Sequence, residues 1–158
     1  MIEISDAVRS ELQSYASRGI FQNFCVSNPN ASNLNFKFNW LAKNPFSLLL
    51  NTQKCQIKLQ DVLPAVHFRS DMDKAFREFL GSRSALSVPS HRRLDEDRFA
   101  VQVENRRQNL SVIVNFAEED AGEAARVSIN LLHEIFNNFL IEGPYQNYMV
   151  EVFNEPEE

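Results

Sequence analysis

The stretch Leu34-Asn35-Phe36-Lys37-Phe38-Asn39-Trp40 decides the fold, because apolar and polar side chains alternate along its whole length. Successive side chains of a β-strand point to opposite faces of a sheet, so a period of two predicts a strand with one buried and one solvated face. Leu34, Phe36, Phe38 and Trp40 form the predicted core stripe. The chain is therefore expected to build a sheet with an aromatic inner face.

Further strands are predicted on both sides of the next turns. The runs Phe46–Leu50 and Cys55–Leu59 follow after short polar connections, and connections of that length join antiparallel neighbours. Phe99–Val103 and Leu110–Phe116 also alternate, on either side of the polar turn Asn105–Asn109. The sequence thus predicts five strands, grouped as a three-strand meander and a hairpin.

Three amphipathic helices are predicted to cover this sheet. Ser5 and Ser70 are placed as N-caps of the first two, the second with Asp73 three residues later, and Gly19 is placed as a left-handed C-terminal residue. The predicted helices are Asp6–Arg18, Asp71–Leu80 and Glu119–Glu142. Residues 23–33 are predicted to form a loop.

The resulting expectation is a single α+β domain over residues 1–158, with the order α-β-β-β-α-β-β-α and an antiparallel five-stranded sheet. Strands grouped in hairpins, rather than alternating with helices, disfavour a doubly wound nucleotide fold. The short C-terminal tail, Tyr145–Phe153, fits both helical and strand spacing.

This order of elements, together with the small size and acidic pI, resembles type III secretion chaperones and the related YbjN-like bacterial proteins. The resemblance covers nearly the whole chain. It extends to uncharacterised cyanobacterial proteins of that fold through the stretches Asn39–Phe46, Pro89–Arg93 and Asn130–Phe136. It implies a homodimer that binds protein partner segments through apolar surface and performs no chemistry.

The charge of the chain disfavours several classes of partner. A formal net charge of −5 and a pI of about 5.3 repel phosphate backbones and anionic membranes. The first 18 residues contain no apolar signal region, so a cytoplasmic protein is expected. RNA binding by the sheet is a second alternative, because Phe36 and Phe38 around Lys37 are similar to base-stacking strand platforms.

No catalytic residue, cofactor site or metal site is predicted. His133-Glu134 resembles half of a zinc-binding H-E-x-x-H motif, but Asn137 stands where the second histidine is needed. Four glycines are too few for a phosphate-binding loop of the known types. Cys25 and Cys55 lack C-x-x-C spacing and are expected to be buried free thiols.

The candidate binding site is a basic cluster in and beside the polar loop Ser82–Asp97. The hairpin turn Arg106-Arg107 could join this cluster if both lie at one end of the sheet, and the acids Asp95–Asp97 favour neutralisation by ion pairs. Arginines that are not neutralised could hold a phosphate or a carboxylate, so a small-anion or ligand site, or an unrecognised enzyme using this loop, is the first alternative function. The residues placed in it are Arg83, His91, Arg92, Arg93 and Arg98.

Overall fold

The computed structural model describes residues 3–20, 22–27, 32–39, 46–63, 66–84, 95 and 98–135. These residues form three α-helices and six strands. One 3-10 turn follows the second helix, and another precedes the third. The elements are α1 Ile4–Ser17, β1 Gln22–Ser27, β2 Asn33–Asn39, β3 Phe46–Asn51, β4 Gln56–Leu63, α2 Asp71–Gly81, a 3-10 turn Ser82–Ser84, β5 Ala100–Arg106, β6 Asn109–Asn115, a 3-10 turn Glu118–Asp120 and α3 Ala121–Glu134. The predicted α+β class is confirmed.

All six strands belong to one antiparallel sheet in the order β1-β2-β3-β4-β6-β5. The register places apolar residues opposite one another on every neighbouring pair of strands. We call this line the apolar row, and it consists of Val26, Phe36, Leu48, Leu59, Val112 and Val103.

Two helices bury the apolar face of the sheet. α1 lies against α3 and against β1, and α3 lies against β4 and β6. α1 contributes Val8 and Leu12 to the core, and α3 contributes small residues such as Ala124 and Ala125, all of them fully buried. The predicted core stripe is confirmed for Leu34, Phe36 and Phe38, and Trp40 lies outside the described residues.

The predicted number of strands is wrong, because β1 lies within the segment expected to be a loop. β1 carries a bulge between Gln22 and Cys25, where Asn23 has a φ of 56°. A bulge inserts one extra residue and breaks the period of two at the start of the strand, so alternation is limited to the four residues Phe24–Ser27. Pairing with β2 is what makes this polar segment a strand.

The helix ends differ from the prediction in two places. α1 begins at Ile4 after Glu3, which makes no side-chain cap hydrogen bond, so the Ser5 cap is wrong. α3 begins at Ala121 instead of Glu119, because the preceding acids form a 3-10 turn. The Ser70 cap is confirmed, since its hydroxyl accepts a hydrogen bond from the backbone N–H of Asp73. The predicted continuation of α3 beyond residue 135 and the tail lie outside the described residues.

Adjacent substitutions on β2 test which face of the sheet is buried. Phe36→Ala should lower the free energy of unfolding by about 3–5 kcal/mol, because it leaves a cavity in the core. Lys37→Ala, one residue later on the exposed face, should change it by less than about 0.5 kcal/mol. Urea unfolding of both variants measures the difference. Equal losses in the two variants would contradict the assigned faces.

Candidate functional site

Arg83, the first residue of the predicted basic cluster, is held against α3. Its guanidinium donates to the carboxylate of Glu134, a buried residue, and lies 4.3 Å from the ring centroid of Phe79. It also donates to the hydroxyl of Ser82 at 3.1 Å. This arginine therefore fastens the end of α2 to the end of α3.

Arg98 makes a second ion-pair group just before β5. Its Nη2 atom lies 2.6 Å from Asp120 and 2.5 Å from Glu123, at the start of α3. The hydrogen bonds to Asp120 and then to Glu123 raise the pKa of Arg98 above its ordinary value. The acids of the loop were expected to neutralise the charge of Arg98. In the structure, Asp120 and Glu123 at the start of α3 pair with it.

The structure does not bring these two arginines together. Their partners Glu123 and Glu134 are eleven positions apart on α3, which corresponds to roughly 16 Å along the helix. Arg98 and the turn Arg106-Arg107 lie at opposite ends of β5, so the condition for the turn to join the cluster is not met at Arg98. The other predicted members, His91, Arg92 and Arg93, lie outside the described residues.

A different basic surface surrounds the most exposed large apolar side chain in the described part of the chain. Phe68, in the connection from β4 to α2, is 60% exposed. The guanidinium carbons of Arg69 and Arg77 lie 5.2 and 5.9 Å from its ring centroid, within the range of cation–π attraction. Phe68, Arg69 and Arg77, with Arg106 and Arg107 of the adjoining β5–β6 turn, are here called the Phe68 patch.

Two hydrogen bonds, both to the backbone of Val66, hold this connection against the β5–β6 hairpin. The N–H of Val66 donates to the carbonyl of Gln108 at 2.7 Å. The side-chain amide of Asn105 donates to the carbonyl of Val66 at 3.0 Å. Arg106 and Arg107 directly precede Gln108, so these bonds place their turn beside the connection that carries Phe68.

Asp73 holds the two arginines that flank Phe68. Its buried carboxylate accepts hydrogen bonds from the backbone N–H of Arg69 and from Nε of Arg77, each at 3.2 Å, and from Asn105 at 3.0 Å. Burial raises the pKa of Asp73, but the hydrogen bonds from Asn105, Arg77 and the Arg69 backbone outweigh it and lower the pKa below its usual value. The carboxylate is therefore ionised and satisfied.

The same end of the molecule concentrates left-handed backbone. Six described residues other than glycine have positive φ, and Arg69, Arg107 and Gln108 are three of them. Positive φ at both Arg107 and Gln108 is the pattern of a type I′ hairpin turn, where Asn-Gly is preferred. Unfavourable backbone of this kind persists only where its surroundings hold it, and it is frequent at functional sites.

The patch is positively charged in a protein whose net charge is −5. Among the described residues, no carboxylate lies within ion-pair distance of Arg69, Arg106 or Arg107. Arg77 is the exception, because it is paired with Asp73. Arg69 at the Phe68 ring, and Arg106 and Arg107 in the adjoining turn, therefore carry no ion pair with a described carboxylate.

The structure also bears on the strand phenylalanines, the two cysteines, metal ligands and membrane spans. Phe36 and Phe38 are fully buried, so their rings do not face solvent. Cys25 is exposed and Cys55 is half-buried, so the expectation of buried thiols is wrong. The described ranges contain no group of three or more His, Cys, Asp or Glu residues placed to hold a metal ion. They also contain no helix long and apolar enough to cross a membrane.

No protein-family model matches the chain, and no match was found among curated proteins or among solved structures. A functional proposal for this chain therefore rests on the geometry of the Phe68 patch.

The Asp73 network predicts a specific dependence of stability on pH. Asp73→Asn should lower the free energy of unfolding by about 2 kcal/mol at pH 7, because hydrogen bonds to a charged group are lost. A lowered folded pKa gives stability that is present above the unfolded pKa of about 3.9 and is lost as pH falls through the folded value. The difference from wild type should therefore shrink below about pH 4.

Urea unfolding from pH 3 to pH 7 measures this difference. Asp71→Asn, which removes an exposed carboxylate from the same helical turn, is the matched control and should cost less. A difference between wild type and Asp73→Asn that stays constant with pH would contradict the role of the ionised carboxylate.

Proposed function

We propose that this chain is a non-catalytic, cytoplasmic protein-binding module that holds a protein segment at the Phe68 patch and also associates with itself. The observation that carries the proposal is a 60% exposed phenylalanine within cation–π distance of two arginines, of which Asp73 binds the side chain of Arg77 and the backbone of Arg69. Aromatic residues and arginine are enriched in protein interfaces and among the residues that contribute most of the binding energy.

Exposure of Phe68 costs free energy that a partner recovers on binding. Covering the exposed part of the ring is worth roughly 2 kcal/mol at the usual coefficient for apolar surface. Cation–π contacts with Arg69 and Arg77 favour one position of the ring before binding, which reduces the conformational entropy lost in the complex. A side chain that is preorganised and exposed in this way supports binding more than it supports folding.

The charge around Phe68 indicates the chemistry of the partner. Arg69, Arg106 and Arg107 favour carboxylates, and arginine binds carboxylates through paired hydrogen bonds. The proposed partner is therefore an acidic protein segment with one apolar side chain that lies on Phe68. A role in protein binding agrees with what the resemblance to type III secretion chaperones and YbjN-like proteins implies.

The alternatives receive less support from the same residues. Arg83 and Arg98 are already engaged by carboxylates, which weakens the proposal of an anion site or active site in their loop. The aromatic residues that suggested RNA binding, Phe36 and Phe38, are buried, and the net charge opposes nucleic acid. Neither alternative accounts for the exposure of Phe68.

Binding of short labelled peptides tests the proposed site. We expect a peptide of glutamates with a central leucine to bind better than the same peptide with a central glycine. Phe68→Ala should weaken the leucine peptide about tenfold, because about 1.4 kcal/mol of apolar contact is lost. Arg106→Glu with Arg107→Glu should weaken both peptides. Fluorescence anisotropy measures each affinity.

Ile20→Ala is the matched control, because Ile20 is the other large apolar side chain exposed in the described residues and lies outside the patch. It should leave peptide affinity unchanged. Equal binding by wild type and Phe68→Ala would contradict the proposed site, and tighter binding of a single-stranded RNA of equal charge would favour the RNA alternative.

A further inference from the structure

The two edges of the sheet differ in how they are protected. At the outer edge of β5, the guanidinium of Arg77 in α2 donates to the carbonyl of Val103 at 3.3 Å. At the other edge, no strand within the described residues pairs with the outer side of β1. Among the described residues, the edge without such a contact is therefore at β1.

β1 lacks the side chains that normally protect an edge. Its sequence, Gln-Asn-Phe-Cys-Val-Ser, contains no charged residue and no proline. Edge strands usually carry such residues, because an unprotected edge pairs with other strands. The bulge near Asn23 disturbs only the start of β1, and Cys25–Ser27 pairs regularly with Asn35–Lys37 of β2. A short regular segment remains open to pairing.

Apolar side chains accompany this open edge. Val26 and Val103, the two ends of the apolar row, are both only partly buried, and the carbonyl of Val103 accepts a hydrogen bond from Arg77 of α2. Ile20, between α1 and β1, is 37% exposed. A strand added to β1 would continue the sheet and would cover apolar surface that the isolated chain leaves in water.

We propose that the β1 strand of a second copy of this chain pairs antiparallel with β1 and joins the two sheets into one. A neutral strand paired with its own copy opposes no like charges, whereas an acidic or basic partner strand would find no complementary charge on β1. A two-fold axis normal to the sheet brings the two Val26 residues together and keeps both helical layers on one side.

This inference rests on the proposed self-association and adds its geometry. Because the Phe68 patch lies beside β5 and the new interface lies at β1, the two surfaces are at opposite edges of the sheet. The dimer would carry one Phe68 patch at each outer end. Two linked sites of this kind bind a partner with two acidic segments more tightly than one site alone.

Cys25 reports on this interface, because it is exposed and lies in the regular part of β1. Residues directly or diagonally opposite in an antiparallel pair lie within about 8 Å. In a Cys55→Ser background, a bismaleimide of about that span should link Cys25 to Cys25 of the second copy and yield a covalent dimer. Adding Cys25→Ser to that background should abolish the product.

Charge at Ser27 tests the pairing without disturbing the core, because this side chain is exposed. Ser27→Lys should shift the protein from dimer to monomer in light scattering, since the lysines of the two copies repel each other. Ser27→Glu should do the same alone, and an equimolar mixture of the two variants should restore the dimer. Gln102→Lys, an exposed position on edge strand β5, is the matched control and should remain dimeric.

The outcomes separate the interface from self-association itself. Monomeric wild-type protein at high micromolar concentration would contradict both. A wild-type dimer that shows no Cys25 link and persists in Ser27→Lys would leave self-association standing and overturn the β1 interface. Binding of the leucine peptide by monomeric Ser27→Lys is expected at unchanged affinity per site, because the Phe68 patch is separate.

Discussion

The apolar row that crosses all six strands is the constraint on which the rest of the structure depends. Its side chains lie opposite one another from β1 to β5, and α1 and α3 cover the face to which they belong. A slip of one residue in any strand would turn its apolar side chains to the polar face. The row therefore sets the register of the sheet, and the register places both edges where function is proposed.

The two edges solve the problem of an unpaired strand differently. At the β5 edge, Arg77 of α2 donates to the carbonyl of Val103, and Asp73 accepts hydrogen bonds from Arg77 and from the backbone of Arg69. A buried carboxylate is tolerated there because each of its hydrogen bonds comes from a fixed donor. The result is an exposed Phe68 on a connection that hydrogen bonds tie to α2 and to the β5–β6 hairpin. Beside β1 the described residues provide no comparable contact, and the proposed association would protect that edge.

The sequence predicts those elements in which apolar residues recur at regular spacing. Alternation located β2, β5 and β6, and apolar runs between short polar turns located β3 and β4. Helical spacing with the Ser70 cap located α2 almost to the residue. β1 escaped because its bulge at Asn23 interrupts alternation. The turn type at Arg107 and Gln108 was not predicted, because both residues adopt positive φ without the glycine that usually marks such a turn.

The site was less predictable than the fold, because it depends on contacts between distant parts of the chain. Arg83 and Arg98 are near each other in sequence, but their carboxylate partners lie at opposite ends of α3. Phe68 belongs to no apolar pattern, and its importance follows only from its exposure and its arginine neighbours. An isolated aromatic residue between His67 and Arg69, just before a helix cap, was the available signal.

Amide hydrogen exchange tests the central claim, a single sheet set by the apolar row, most directly. Residues Leu48, Leu59 and Val112 lie on inner strands β3, β4 and β6, so their amides should exchange only through global unfolding. Rapid exchange at Val112 while Leu48 stays protected would show that β6 does not pair with β4, and it would contradict the account.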